Sequence, residues 1–181
     1  IGVLSVGGIA GYSQAMSKFK VSKTTDQVQT MVTNIRTLFA GQRSYNGLTP
    51  ANAYTMGILT DETWDGAAAT NAYGGSILIT TLTGDNPHYF AITYNGLPQD
   101  ACVRISMSDW GDASSGLVGL VVDDAEQSAP TAVPTEASVD SGTFLTSSKT
   151  ETTGVPIPLS SAVSACTGDT DNTASITWIY R

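Results

Sequence analysis

The sequence specifies an α+β fold, a long N-terminal α-helix packed on a mainly antiparallel β-sheet, and three observations lead to it. A proline-free stretch from Ile1 to Tyr45 opens apolar and turns amphipathic, four later runs have strand character, and clusters of Gly, Asn, Asp and Pro separate them. With 181 residues and 41% hydrophobic composition, one domain with a substantial core is expected.

The first twelve residues carry no charge, and past them Val28, Met31, Val32, Ile35, Leu38 and Phe39 recur at three- and four-residue spacing. That spacing puts the six on one helical stripe, the core face. Residues 1–45 thus divide into an apolar half, 1–15, and an amphipathic half, 16–45. A continuous helix from Ser5 to Ser44 would be about 60 Å long at roughly 1.5 Å per residue, more than the core of such a domain needs. Its first half must find another environment. Twelve apolar residues fall short of the roughly 17 to 25 that cross a bilayer, and no basic segment precedes them as in a secretory signal. Gly7 and Gly11 make one GxxxG spacing, a weak match in a glycine-rich stretch.

Asn46-Gly47-Leu48-Thr49-Pro50 ends the helix and opens the head, 46–181. Ala51 to Leu59 predicts a short helical turn, and Thr60 is a cap candidate before Asp61 and Glu62. A loop through Trp64 to Gly75 follows. Ser76 to Leu82 and His88 to Tyr94 predict a hairpin. Asn95-Gly96 is read as closing its second strand, and Pro98 as the first turn of a helix that carries Cys102. There Ala101, Val103 or Ile105, and Met107 would face the core. Gly116 to Val122 predicts a strand apolar enough to be central. Residues 123–158, rich in Ser, Thr and Pro, form a long surface loop region with one short strand around Thr143 to Leu145. Ser160 to Cys166 is a last helical turn, and Ala174 to Tyr180 the final strand.

Charged residues make up only 13% of the sequence, below the roughly 25% of soluble domains, which points to an extracellular surface. A net charge of −8, with no basic patch, argues against nucleic acid. The charge is segregated. Residues 1–44 hold Lys18, Lys20, Lys23, Arg36 and Arg43 against Asp26, a net +4, and the remainder is −12. Lys18, Lys20 and Lys23 lie where apolar helix gives way to amphipathic helix. Cys102 and Cys166 lack the His or Cys neighbours of a metal site. In an exported protein they form one disulfide, worth roughly 4 kcal/mol over so long a loop, the alternative being two buried thiols.

Nothing predicts catalysis. The single histidine, His88, is assigned to a strand beside Tyr89 and Phe90, without a nucleophile motif. Asp169-Thr170-Asp171-Asn172-Thr173 fails as a calcium loop because Ala174 and Tyr180 stand where Gly and Glu are required, so no metal site and no cofactor are expected. Asp123-Asp124-Ala125-Glu126 reads as a solvated loop. Trp64, Tyr73, Tyr89 and Trp178 read as core in preference to a binding groove.

The apolar start running into Met16 to Tyr45, the phrase Gly57-Ile58-Leu59-Thr60-Asp61-Glu62, the phrase from Phe90 to Cys102 and the late Cys166 together resemble the type IVb pilins. These are major subunits of bacterial type IV pili, and the small enteric pilins of thin or conjugation-type pili look most alike. Phe90-Ala91-Ile92-Thr93-Tyr94-Asn95-Gly96-Leu97-Pro98-Gln99-Asp100-Ala101-Cys102 is the most specific match. The resemblance implies the type IV pilin fold, with Cys102 and Cys166 paired. It also implies a non-enzymatic subunit that self-assembles into a surface filament for adhesion, aggregation or mating contact. Ile1, Val3, Leu4, Val6, Ile9, Met16 and Phe19 then become the assembly positions of the helix, and in such a filament Lys18, Lys20 and Lys23 are candidates for contacts with Asp61, Glu62, Asp65, Asp123, Asp124 or Glu126 of an adjacent subunit, the alternative being solvation of a helix face. The implied partners are further copies of the same protein, the inner membrane before assembly, the pilus assembly machinery and a host-cell or recipient-cell receptor. Mature pilins of this family begin with a residue often N-methylated, followed by a glutamate at position five. Ser5 stands there, so about ten further apolar residues are expected ahead of Ile1. Alternative readings are a minor pilin or secretion-system pseudopilin, and a secreted glycan- or protein-binding module.

Overall fold

A computed structural model describes residues 2–82, 88–111, 115–132, 143–146, 157–168 and 172–181. Helix α1 runs from Gly2 to Leu38. Val28, Met31, Val32 and Ile35 are buried at the expected spacing and Thr24 joins them one turn earlier. Leu38 departs from the expectation: it is 48% exposed. The helix stops six residues short of Ser44 because its last turn tightens, Ala40 donating to Thr37 and Gln42 to Phe39. The backbone then swings inward, so that Phe39, past the helix, packs on Tyr45 at 5.3 Å between ring centres, and Tyr45 packs on Phe90 at 4.8 Å. Aromatic contact with the sheet wins over one more helical turn.

Helix α2 (Pro50–Thr55) starts as proline chemistry dictates, with Pro50 in its first turn and the Thr49 hydroxyl accepting from the Asn52 N–H at 3.2 Å. Thr60 caps no helix: Thr63 and Trp64 donate to its carbonyl in a single turn. Strand β1 (Ala69–Thr70) was not foreseen, two residues being too short to carry a pattern.

The other strands are β2 (Ser76–Thr81), β3 (Phe90–Pro98), β4 (Leu117–Asp123), β5 (Thr143–Thr146) and β6 (Thr173–Tyr180), alongside helices α3 (Gln99–Ser106) and α4 (Leu159–Ala165). They form one antiparallel sheet in the order β1-β2-β3-β6-β4-β5. The expected β2/β3 hairpin is present, Ile79 lying opposite Ile92. The last strand of the sequence is central, with Trp178 opposite Ile92 on one side and Leu120 on the other. One sheet face, with Phe90, Ile92, Tyr94, Leu120, Ile176 and Trp178, packs against α1 and α3 in the main core. On the other face Leu82, Ala91 and Ile179 form a small cluster.

Asn95-Gly96 does not close β3. The strand continues to Pro98 through a register shift between Tyr94 and Leu97, with Gly96 at φ 70°. The same dipeptide that makes turns also makes bulges, and pairing with β6 on the far side selects the bulge. Opposite it, a Cβ on Gly75 would lie 1.8 Å from the Asn95 carbonyl oxygen, so this crossing requires glycine. Pro98 caps α3 from just outside, and α3 buries Ala101, Cys102, Ile105 and Ser106, leaving Val103 and Met107 at the margin of the core.

Candidate assembly surface

Cys102 on α3 and Cys166 at the end of α4 are joined in a disulfide, both fully buried, with a Cα separation of 5.8 Å. It fastens the last helix to the core. Within this frame the residues expected to face a neighbour can be located.

On α1, Ile1 and the side chains of Val3, Leu4, Val6 and Ile9 lie outside the described residues. The next apolar positions are described. Tyr12, Met16 and Phe19 are 67%, 37% and 59% exposed. Their i, i+4, i+7 spacing places them on one stripe of the helix. So long a contiguous apolar stripe in water is unusual for a monomer. Covering each would contribute only part of the roughly 1.5 to 3 kcal/mol of a full burial, least at Met16, which is already mostly covered.

The lysines separate into different roles. Lys23 pairs with Glu62 of its own subunit. Lys20 lies over the Tyr73 ring, 5.7 Å from its centre. Lys18 is exposed. The proposed acidic partners are thinned in the same way. Besides Glu62, Asp61 accepts from the Tyr54 hydroxyl at 2.5 Å. Asp65 accepts from the Ala67 and Ala68 N–H groups, which hold its carboxyl below the usual range. Asp123 is buried as the last residue of β4, not solvated, because β4 pairs it with Ser175. Glu126 remains exposed, with Asp124 half-buried.

Among the described residues, two further exposed apolar pairs lie on the head: Tyr54 and Met56 at α2, and Leu159 and Val163 on α4. The sequence reading missed them, although the i, i+4 spacing of Leu159 and Val163 after Pro158 was a readable signal.

A cleft of about 520 Å³ opens beside α1, lined by Phe19, Lys23, Gln27, Met31, Ile58 and Glu62. A second, of about 340 Å³, is lined by Tyr12, Met16, Lys20, Tyr73 and Asp100 among others. In the second, the Ser17 hydroxyl donates to the Asp100 carboxylate at 3.2 Å, an exposed contact between α1 and α3. His88 occupies an exposed turn before β3, one step outside the strand expected for it. Trp178 is core, whereas Trp64, Tyr73 and Tyr89 are half-buried at its margins. Among the described residues no group of three His, Cys, Asp or Glu is placed to hold a metal, and Asp169 to Asp171 lie outside them. No helix among the described residues is long and apolar enough to cross a membrane.

A family model described as PilS N terminal matches residues 18–179. No match is found among curated proteins. Among solved structures, the protein is similar to a type IV b pilin from Salmonella typhi at 21% identity and a TM-score of 0.58, covering 88% of this sequence and 99% of that one. It is also similar to TcpA, a type IV pilin from Vibrio cholerae El Tor biotype, at 16% identity and a TM-score of 0.61, covering 90% of this sequence and 99% of that one. The protein therefore belongs to the PilS N-terminal family and carries the type IVb pilin fold, the fold of a type IV pilus structural subunit.

Proposed function

We propose that this protein polymerises with copies of itself into a cell-surface pilus, held together by the first half of α1, and that the filament serves attachment, aggregation or mating contact. The observation that carries the reading is the stripe of Tyr12, Met16 and Phe19, which extends the uncharged segment of residues 2–11 and is left exposed by the described residues. The second half of the helix spends its apolar residues on the head's core, so the two halves have different partners. Before assembly the uncharged segment is accommodated in the inner membrane, from which the assembly machinery withdraws it, and the finished surface meets a receptor on a host or recipient cell.

The test separates folding from assembly. A fragment beginning at Lys23 is expected to be soluble, monomeric and cooperatively folded, because Val28 to Ile35 are retained. In cells carrying the assembly machinery, full-length protein with Met16→Ser and Phe19→Ser is expected to accumulate folded and disulfide-bonded but to yield few sheared filaments. Normal filament yield from that variant would overturn the reading, and an unfolded Lys23 fragment would overturn the division of the helix.

A further inference from the structure

We propose that Asn46–Gly47 is a site of spontaneous covalent modification, in which the Asn46 side chain loses ammonia, while the fold protects the protein's other Asn–Gly pair, Asn95–Gly96. The reaction needs only the polypeptide and water. The Gly47 backbone nitrogen attacks the amide carbon of the Asn46 side chain and gives up its proton to water. The amide nitrogen takes a proton from water and leaves as ammonia when its bond to that carbon breaks, and a five-membered succinimide forms. Water then adds to one of the two ring carbonyls and opens the ring at that carbon's bond to nitrogen, giving aspartate or isoaspartate. Glycine is the favourable following residue because no Cβ crowds the attacking nitrogen.

The two pairs have the same chemistry and opposite surroundings. Asn46 and Gly47 are both exposed, at the second and third positions of the turn in which the Leu48 N–H donates to the Tyr45 carbonyl at 3.1 Å. Gly47 has φ 88°, the type II pattern that requires glycine. Among the described residues, neither the Gly47 N–H nor the Asn46 side-chain amide has a hydrogen-bond partner, so the nucleophile and its target are both free to move. Asn95 is 2% exposed and its side chain is fully engaged. Its amide nitrogen donates to the Ser76 hydroxyl and to the Gln127 carbonyl, and its oxygen accepts from the Gln127 N–H, each at 2.9 Å. Reaching the Gly96 nitrogen would break all three bonds, and the bulge is pressed against Gly75.

The product matters because of where the turn lies. It joins α1 to α2, and Asn52 on α2 donates to the Gly47 carbonyl at 2.6 Å. Aspartate adds one negative charge per subunit. Isoaspartate also inserts a methylene into the backbone between Tyr45, whose carbonyl receives the Thr81 hydroxyl, and the buried Leu48.

The experiment incubates the full-length native protein in mildly alkaline buffer beside a reduced, denatured sample and follows each asparagine by peptide mass mapping. Asn46 is expected to convert in both samples, and Asn95 only in the denatured one, with its native rate lower by about tenfold or more because it must await local opening. Asn46→Gln, which would have to close a six-membered ring, is expected to stop the acidic isoform in isoelectric focusing. A native Asn46 that stays intact while the denatured one converts would overturn the proposal. So would a native Asn95 that converts as fast as Asn46, or an acidic isoform that accumulates undiminished in Asn46→Gln.

Discussion

Asp123 shows what a single carboxyl loses when a strand ends inside the fold. Burial is the main cause that raises its pKa, the neighbouring Asp124 charge adds to it, and the Ala125 N–H donating to Oδ1 at 3.0 Å opposes both. A carboxyl whose pKa is higher folded than unfolded binds more protons in the folded state between the two values. Stability therefore falls as pH rises from the ordinary carboxylate range through the raised one. Asp123→Asn keeps the acceptor for Ala125 and removes the charge, so its melting temperature is expected to decline less over that window than that of the unaltered protein. Identical slopes would show that Asp123 is not responsible. The residue was legible as an acid but not as a buried one, because burial comes from the pairing of β4 with β6. Asn95 was hidden for the same reason: its hydrogen bonds reach Ser76 and Gln127, 19 and 32 positions away.

At the scale of elements, the described residues of the head carry two exposed apolar pairs toward opposite ends of the sheet, α2 beside β2 and α4 beside β4. Two different patches on opposite sides suit a head-to-tail contact, which propagates into a filament where a two-fold contact would close. Leu159→Ser with Val163→Ser is expected to leave the monomer's unfolding midpoint nearly unchanged, since both side chains already face water, and to lower filament yield or make filaments fragile to shear. Undiminished, shear-resistant filaments would remove α4 from the interface. Elements with strong periodicity were readable in order: α1, the β2/β3 pair, α3, β4 and β6 are present in the expected sequence, although the ends of α1 and β3 differ. What escaped depended on partners distant in sequence. The end of α1 is set by ring contacts to β3, and the bulge in β3 is set by β6.

For the whole molecule, the segregation of +4 on the helix half from −12 on the remainder is partly spent within the subunit, through Lys23 and Glu62. Of the three helix lysines, Lys18 has no partner among the described residues and would be the one available to a neighbour, with Glu126 an exposed candidate partner. Each such pair is worth under about 1 kcal/mol, so it would guide register more than affinity. Lys18→Gln is accordingly expected to reduce filament yield at high salt no further than salt alone does, but to reduce it at low salt. Equal yields of variant and unaltered protein at low salt would return Lys18 to plain solvation. The family, the fold and the disulfide could be read from local phrases of sequence, whereas the assignment of each charge required the folded surface. The central place of β6 carries a consequence for biosynthesis. β3 and β4, the strands on either side of it, have no mutual pairing to fall back on, so the sheet cannot close until Thr173 to Tyr180 have left the ribosome. Sheet closure thus waits until every other strand of the sheet has been made. Until then the head remains two unjoined halves, each with an unpaired strand edge.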